Sequence, residues 1–175
     1  MAKTSSKVIV IDASILRTAG EPSKIDQRSA KCRQFLEAMR RICHRAILTP
    51  EMKVEWDKHQ SNFGTRWRAS MARIGKIVFS HIEIDQTLRS AIRDASPDKH
   101  IAEIMIKDAR LIEAALASDQ IVVSLDDKAR LHFRDICVRI TRLKRVSWIN
   151  PNVKSDQYVK WMEEGAKSLK DHKLG

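Results

Sequence analysis

Glycine and proline are scarce in this chain, five and four residues out of 175. That scarcity argues against a linker-rich or low-complexity protein, which draws heavily on both. Long apolar runs are missing as well, since nothing approaches the ~18 residues of a membrane span. The apolar run at residues 8–16 is short and interrupted by Asp12. It makes a poor secretory signal and a good first strand, and the cytoplasm is the expected compartment. Only three cysteines occur, Cys32, Cys43 and Cys137, with no C-x-x-C spacing, which predicts reduced core thiols rather than a disulfide framework or a zinc site. No internal repeat is present. What the chain does have is 43% hydrophobic and 31% charged residues, the balance of a globular domain large enough for a real core. Its formal net charge of +11 points to a polyanionic partner, nucleic acid first and an acidic protein second.

Taken in order, Lys7–Ile11 (KVIVI) reads as a central strand covered on both faces, ending in Asp12-Ala13-Ser14. A turn or short helix runs to Gly20 and the breakers Glu21-Pro22-Ser23. From about Asp26 to His44 an apolar stripe of Cys32, Phe35, Leu36, Met39, Ile42 and Cys43 predicts an amphipathic helix with a basic outer side. A short strand at Ala46–Leu48 precedes Thr49-Pro50, a cap followed by a first-turn proline, so the next helix starts there and carries Glu51 and Glu55. Phe63, Trp67, Met71 and Ile74 mark another helix, with Arg66, Arg68 and Arg73 on its outer face. Lys76–Ile84 is a strand or an extended connection, and Asp85–Ala95 a helix. Ser96-Pro97-Asp98 opens a long helix whose apolar comb of Ile101, Ile104, Met105, Leu111, Ile112, Ala115 and Leu116 has Asp108 in its missing tooth. The strand Ile121–Val123 exits through Ser124, Leu125, Asp126 and Asp127; a helix to Phe133 and a strand at Arg145–Ile149 follow. Residues 152–175 read as an appended helical tail, with Tyr158, Trp161, Met162 and Leu169 inward, packed on a domain of residues 1–151. The histidines are read as surface or capping residues, and the four tryptophans as core.

Strands alternating with helices imply a three-layer α/β domain with a mainly parallel sheet. Right-handed crossovers then bring Asp12 and Asp126 to one sheet edge, with Glu55 and Asp108 supplied by flanking helices. Each acid alone has an ordinary explanation as a helix cap, a solvated helix acid or a salt-bridge partner. Four together are costly unless a cation compensates them. An all-carboxylate set with no His or Cys in motif spacing suits Mg²⁺ or Mn²⁺, which activates water and offsets phosphate charge. An acidic pocket on a basic protein therefore predicts phosphodiester hydrolysis. A haloacid-dehalogenase-like phosphatase ranks low, because that chemistry wants a second Asp where Ser14 stands.

The succession of a strand with DAS-IL, then TPEMKVE, KDARLIEAAL and IVVSLDD resembles the PIN-domain nucleases over about Lys7 to Pro151. The resemblance implies a parallel sheet between helices, a Mg²⁺ or Mn²⁺ site, and cleavage of RNA. It implies that Asp12, Glu55, Asp108 and Asp126 are the metal-binding and catalytic acids. Ser14 and Ser124 are the supporting hydroxyls, and Asp127 is an accessory acid. Glu51 competes with Glu55 for the second role. Members of that family include toxins paired with antitoxins, RNA-processing enzymes and inactive forms, so a catalytically silent RNA-binding or partner-binding module is the alternative expectation. Arg40, Arg41, Arg66, Arg68 and Arg73 are expected to bind RNA on the rim of the acidic pocket. The oligomeric state, a homodimer included, is left open.

Overall fold

Five short apolar segments form the sheet: β1 (Val8–Ile11), β2 (Arg45–Leu48), β3 (Ile77–Phe79), β4 (Ile121–Val123) and β5 (Ser147–Ile149). The structure, a computed structural model, describes residues 5–20 and 27–175. All neighbouring strands pair in parallel, in the order β3-β2-β1-β4-β5. β1 is central, with Ile9, Val10 and Ile11 fully buried, as its unbroken β-branched sequence requires.

The helices among the described residues are α1 (Ala13–Thr18), α2 (Gln27–Arg41), α3 (Pro50–His59), α4 (Asn62–Arg73), α5 (Gln86–Ala95), α6 (Lys99–Leu116), α7 (Asp127–Ile136) and α8 (Ser155–Glu163). Helices α1, α2, α3, α4 and α8 pack among themselves, α5 and α7 pack on α6, and α6 lies against β1 and β4. This is the expected three-layer α/β fold. Helix starts follow local chemistry: Thr49 Oγ1 accepts from the Met52 amide with Pro50 just behind it, and Asp98 and Asp85 accept from Ile101 and Leu88.

Several expectations shift in detail. Asp26 and the Glu21-Pro22-Ser23 breakers lie outside the described residues. Only Ile77–Phe79 of the 76–84 segment pairs as a strand. Ile104 is exposed, because the face that α6 buries runs through Ala102, Met105, Ala109 and Ile112, so Asp108 stands beside that face. Cys32 and Cys137 are buried, whereas Cys43 is exposed in the turn after α2. The tail helix ends at Glu163, and Gly165 (φ 94°) and Ala166 (φ 50°) turn the chain back, leaving Leu169 beyond the helix.

The tail is fastened at three places. α8 runs beside α2 in parallel register, with Gln34 donating to Asp156 and Arg41 to Glu163, both pairs 122 residues apart. Lys173 bridges Ser147 in antiparallel fashion and the Leu174 amide donates to Val146 O, which covers the outer edge of β5. Third, His44 is fully buried, a correction to its reading as a surface or capping residue. Its Nδ1 accepts from the Lys7 amide at 3.0 Å and its Nε2 donates to Met162 O at 2.8 Å. That pattern requires the neutral ring.

Burial accordingly lowers the His44 pKa below its ordinary value. A histidine held neutral in the fold contributes stability that is fully present above the unfolded pKa of about 6.5 and is lost as pH falls towards the folded value. The difference in urea-unfolding free energy between the parent and His44→Ala is therefore expected to be largest at pH 7.5 and to shrink towards pH 5. A difference that stays constant over that range would show that the ring's charge state is not coupled to folding.

Candidate active site

The order β3-β2-β1-β4-β5 places the reversal of winding between β1 and β4, and the crevice outside their carboxyl ends is where open parallel sheets bind ligands. Register sets the chemistry there. Ile11 pairs with Val123, so the next residues along each strand, Asp12 and Ser124, emerge side by side. The Asp12 amide donates to Val123 O at 2.9 Å, extending the ladder by one step.

Asp12 stands at the cap position of α1, yet its side chain makes no capping hydrogen bond. Its Oδ2 instead accepts from Ser14 Oγ at 2.6 Å and from the fully buried Ser124 Oγ at 2.8 Å. Those hydroxyls accept in turn from the Leu125 and Asp126 amides. Each serine passes an N–H dipole on to the carboxylate, fixing its orientation. Asp126 does act as a cap: its Oδ1 accepts from the Ala129 amide at 2.8 Å, and the residue is exposed. Its neighbour Asp127 turns to β5, where Oδ2 accepts from Asn150 Nδ2 at 3.0 Å.

Glu55 arrives from α3. That helix is pinned to the same edge because the buried Trp56 donates its indole N–H to Ile11 O at 3.0 Å. α3 touches α6, which turns Glu55 towards Asp108. Glu51 takes a different partner, with Arg89 Nη2 3.4 Å from its Oε2. Arg89 also makes a close two-point pair with Glu113, a buried acid of α6 that the sequence reading passed over. Glu113 further accepts from the Asp85 amide, and the pair locks α5 onto α6. Of the two glutamates it is Glu55 whose charge reaches Asp108.

Asp108 is the electrostatic centre of the group. Burial, together with the negative charges of Asp12, Asp126 and Glu55, raises its pKa to about 6, and Arg110 acts against that rise. Asp12, Asp126 and Glu55 are therefore each within electrostatic reach of Asp108. Arg110 is a second residue the sequence reading missed, although it lies inside KDARLIEAAL; a helical step of two from Asp108 does not put two residues on one face, so spacing gave no hint. Its Nη2 lies 3.9 Å from both Glu55 Oε2 and Asp108 Oδ1.

The donor chemistry fits a hard divalent cation: the groups are carboxylates, with one of them driven towards protonation by burial and then by its acidic neighbours. Among the described residues no three acids converge closely enough to form a ready-made metal cage. Asp12, Asp108 and Asp126, with Glu55 directly or through water, are the groups that would hold the ion.

The five arginines do not share one rim. Arg40 and Arg41 end α2 and Arg73 ends α4, where the chain enters β2 and β3, at the amino edge of the sheet. Lys76 Nζ, donating to the carbonyls of Arg40 and Ile42, ties those two helix ends together. The expectation that these three arginines border the acids is corrected by topology, since helices that return to a parallel strand finish at the opposite edge. Arg68 pairs with Asp57 and lies over the Trp56 ring at 5.9 Å, and Arg66 is exposed early in α4.

An aspartate whose folded pKa lies above its unfolded value costs stability once pH exceeds both. In metal-free buffer Asp108→Asn is therefore expected to stabilise the fold at pH 7.5 by about 1–3 kcal/mol. The gain should fade as pH falls through about 6 towards 4, as read by chemical denaturation. A destabilised variant at pH 7.5 would mean that Asp108 is not held against its charge.

No protein-family model matches the chain, and comparison with curated proteins returns no match.

Proposed function

We propose that this chain is a metal-dependent endoribonuclease of the PIN-like kind, hydrolysing RNA phosphodiester bonds at the carboxyl edge between β1 and β4. The observation that carries the reading is Asp12: a carboxylate in a capping position that does not cap, held by Ser14 and Ser124 within electrostatic reach of Asp108. A cap or a structural ion pair explains none of that arrangement.

A Mg²⁺ or Mn²⁺ ion held there would lower the pKa of a bound water and offset charge on the phosphate. The chain's own residues prepare that event. Ser14 and Ser124 hold Asp12 in one orientation, so little rearrangement accompanies ligand capture. Asp126 keeps one oxygen on its helix cap, which fixes the carboxylate and leaves its other oxygen out of the cap. Asp108 and Glu55, on separate helices, close the crevice from the opposite wall. The net charge of +11 draws RNA to the surface through counterion release.

A second reading has an observation of its own. Arg110 already stands 3.9 Å from Glu55 and Asp108, as it would in a silent RNA-binding or partner-binding module whose acids are neutralised internally. Labelled single-stranded and structured RNAs incubated with Mn²⁺ or Mg²⁺ separate the two. The parent should cleave, whereas Asp12→Asn and Asp108→Asn should each lose roughly 10²-fold or more in rate, with folding checked by circular dichroism. Equal turnover in all three proteins would refute the nuclease reading, and salt-dependent RNA binding without turnover in the parent would favour the silent module.

A further inference from the structure

Arg110 is poorly satisfied for so enclosed a cation. Its side chain is 16% exposed, its Nε is buried with no hydrogen-bond partner, and Nη1 donates to Lys107 O within its own helix. The remaining nitrogen, Nη2, reaches both Glu55 and Asp108 but only at 3.9 Å, beyond hydrogen-bonding range. A guanidinium committed to a structural ion pair normally makes short two-point bonds. Arg89 on Glu113, at 2.8 and 2.7 Å, is the example in this same protein. Arg110 supplies charge to two acids without being tied to either.

We infer that Arg110 is a displaceable internal counterion, holding Glu55 and Asp108 together in the metal-free protein and yielding to the divalent cation when that binds. The inference rests on the nuclease reading of the same site. Two like acids from α3 and α6 repel across the crevice, and a cation between them is what keeps it closed. A divalent ion brings twice the charge and can approach carboxylate oxygens to about 2.0–2.1 Å, a distance a guanidinium cannot match. Once the acids are compensated, the planar group keeps its unused Nε–H and Nη–H donors. It lines the groove between α3 and α6 alongside Glu51, Glu55, Lys107 and Asp108. Released there, it presents a two-point donor to a phosphate oxygen.

The test is Mn²⁺ binding by isothermal titration calorimetry on the parent, Arg110→Gln and Lys107→Gln. The last variant removes the same charge from an exposed position on the same groove. Arg110→Gln should bind Mn²⁺ roughly tenfold more tightly than the parent, with Lys107→Gln nearer to the parent. Equal tightening in both variants, or none in Arg110→Gln, would overturn the counterion role. Failure of the parent and both variants to bind Mn²⁺ would overturn the nuclease reading and the exchange with it. Metal-free thermal unfolding gives an independent arm. Arg110→Gln should lower Tm, and Asp108→Asn should raise Tm more in the Arg110→Gln background than in the parent, because the charge left uncompensated is then removed. Independent, additive effects of the two substitutions would also refute it.

Discussion

Like charges gathered at one end of a parallel sheet repel, and the protein meets that repulsion differently for each acid. Asp12 is held by two serine hydroxyls that relay backbone N–H groups to it. Asp126 lends one oxygen to the first turn of α7, where the helix dipole favours negative charge. Glu55 and Asp108 have neither support. They lie on helices from opposite faces of the sheet, share one loosely placed arginine, and Asp108 is pushed towards protonation. The cost of the cluster is concentrated at Asp108, where burial comes first and the charges of Asp12, Asp126 and Glu55 follow, so that is where a bound cation would do most to stabilise the fold.

The two edges of the sheet have separate tasks. At the carboxyl edge the strand ends hold acids. At the amino edge, polar groups fasten chain ends: Asp119 accepts from the Val8 amide and pairs with Lys7, the buried His44 joins Lys7 to Met162, and Arg41 reaches Glu163 of the tail helix at the surface. The tail thus belongs to the body mechanically, through α2, β5 and His44. The basic residues ending α2 and α4 belong to this second edge, which divides the overall positive charge from the acidic crevice.

Much of this was legible in the residues because local rules and tertiary structure agree. β-Branched runs became the strands, Thr49-Pro50 and Asp98 started helices where capping chemistry says they should, and Asp108 stood out against an apolar comb. What escaped has physical reasons. Periodicity drew the α6 comb too wide, because it cannot show which part of a stripe a neighbouring helix leaves uncovered, and Ile104 is exposed for that reason. His44 and Glu113 have no local signature, since a buried polar residue is defined by partners that lie far along the chain, 118 residues away for His44 and 24 for Glu113. Arg40, Arg41 and Arg73 were grouped by type, and only strand direction assigns them to an edge.

Strand direction also bears on how a polyanion could reach the acids. The arginines of the amino edge cannot border the crevice, and Arg68 is occupied by Asp57 and the Trp56 ring. Arg89, Lys107 and Arg110 line the α3–α6 groove with Glu55 and Asp108, and His59 stands 3.5 Å from Glu55; Arg89 is committed to Glu113. Lys107 is exposed and Arg110 largely enclosed, a graded pair running from solvent towards the acids. A phosphate backbone approaching along α6 meets a mobile point charge first and a planar fork second, the order in which non-specific attraction gives way to oriented contact. The helix that interrupts its own apolar face with Asp108 therefore also carries positive charge beside it, as the proposed polyanionic substrate would require.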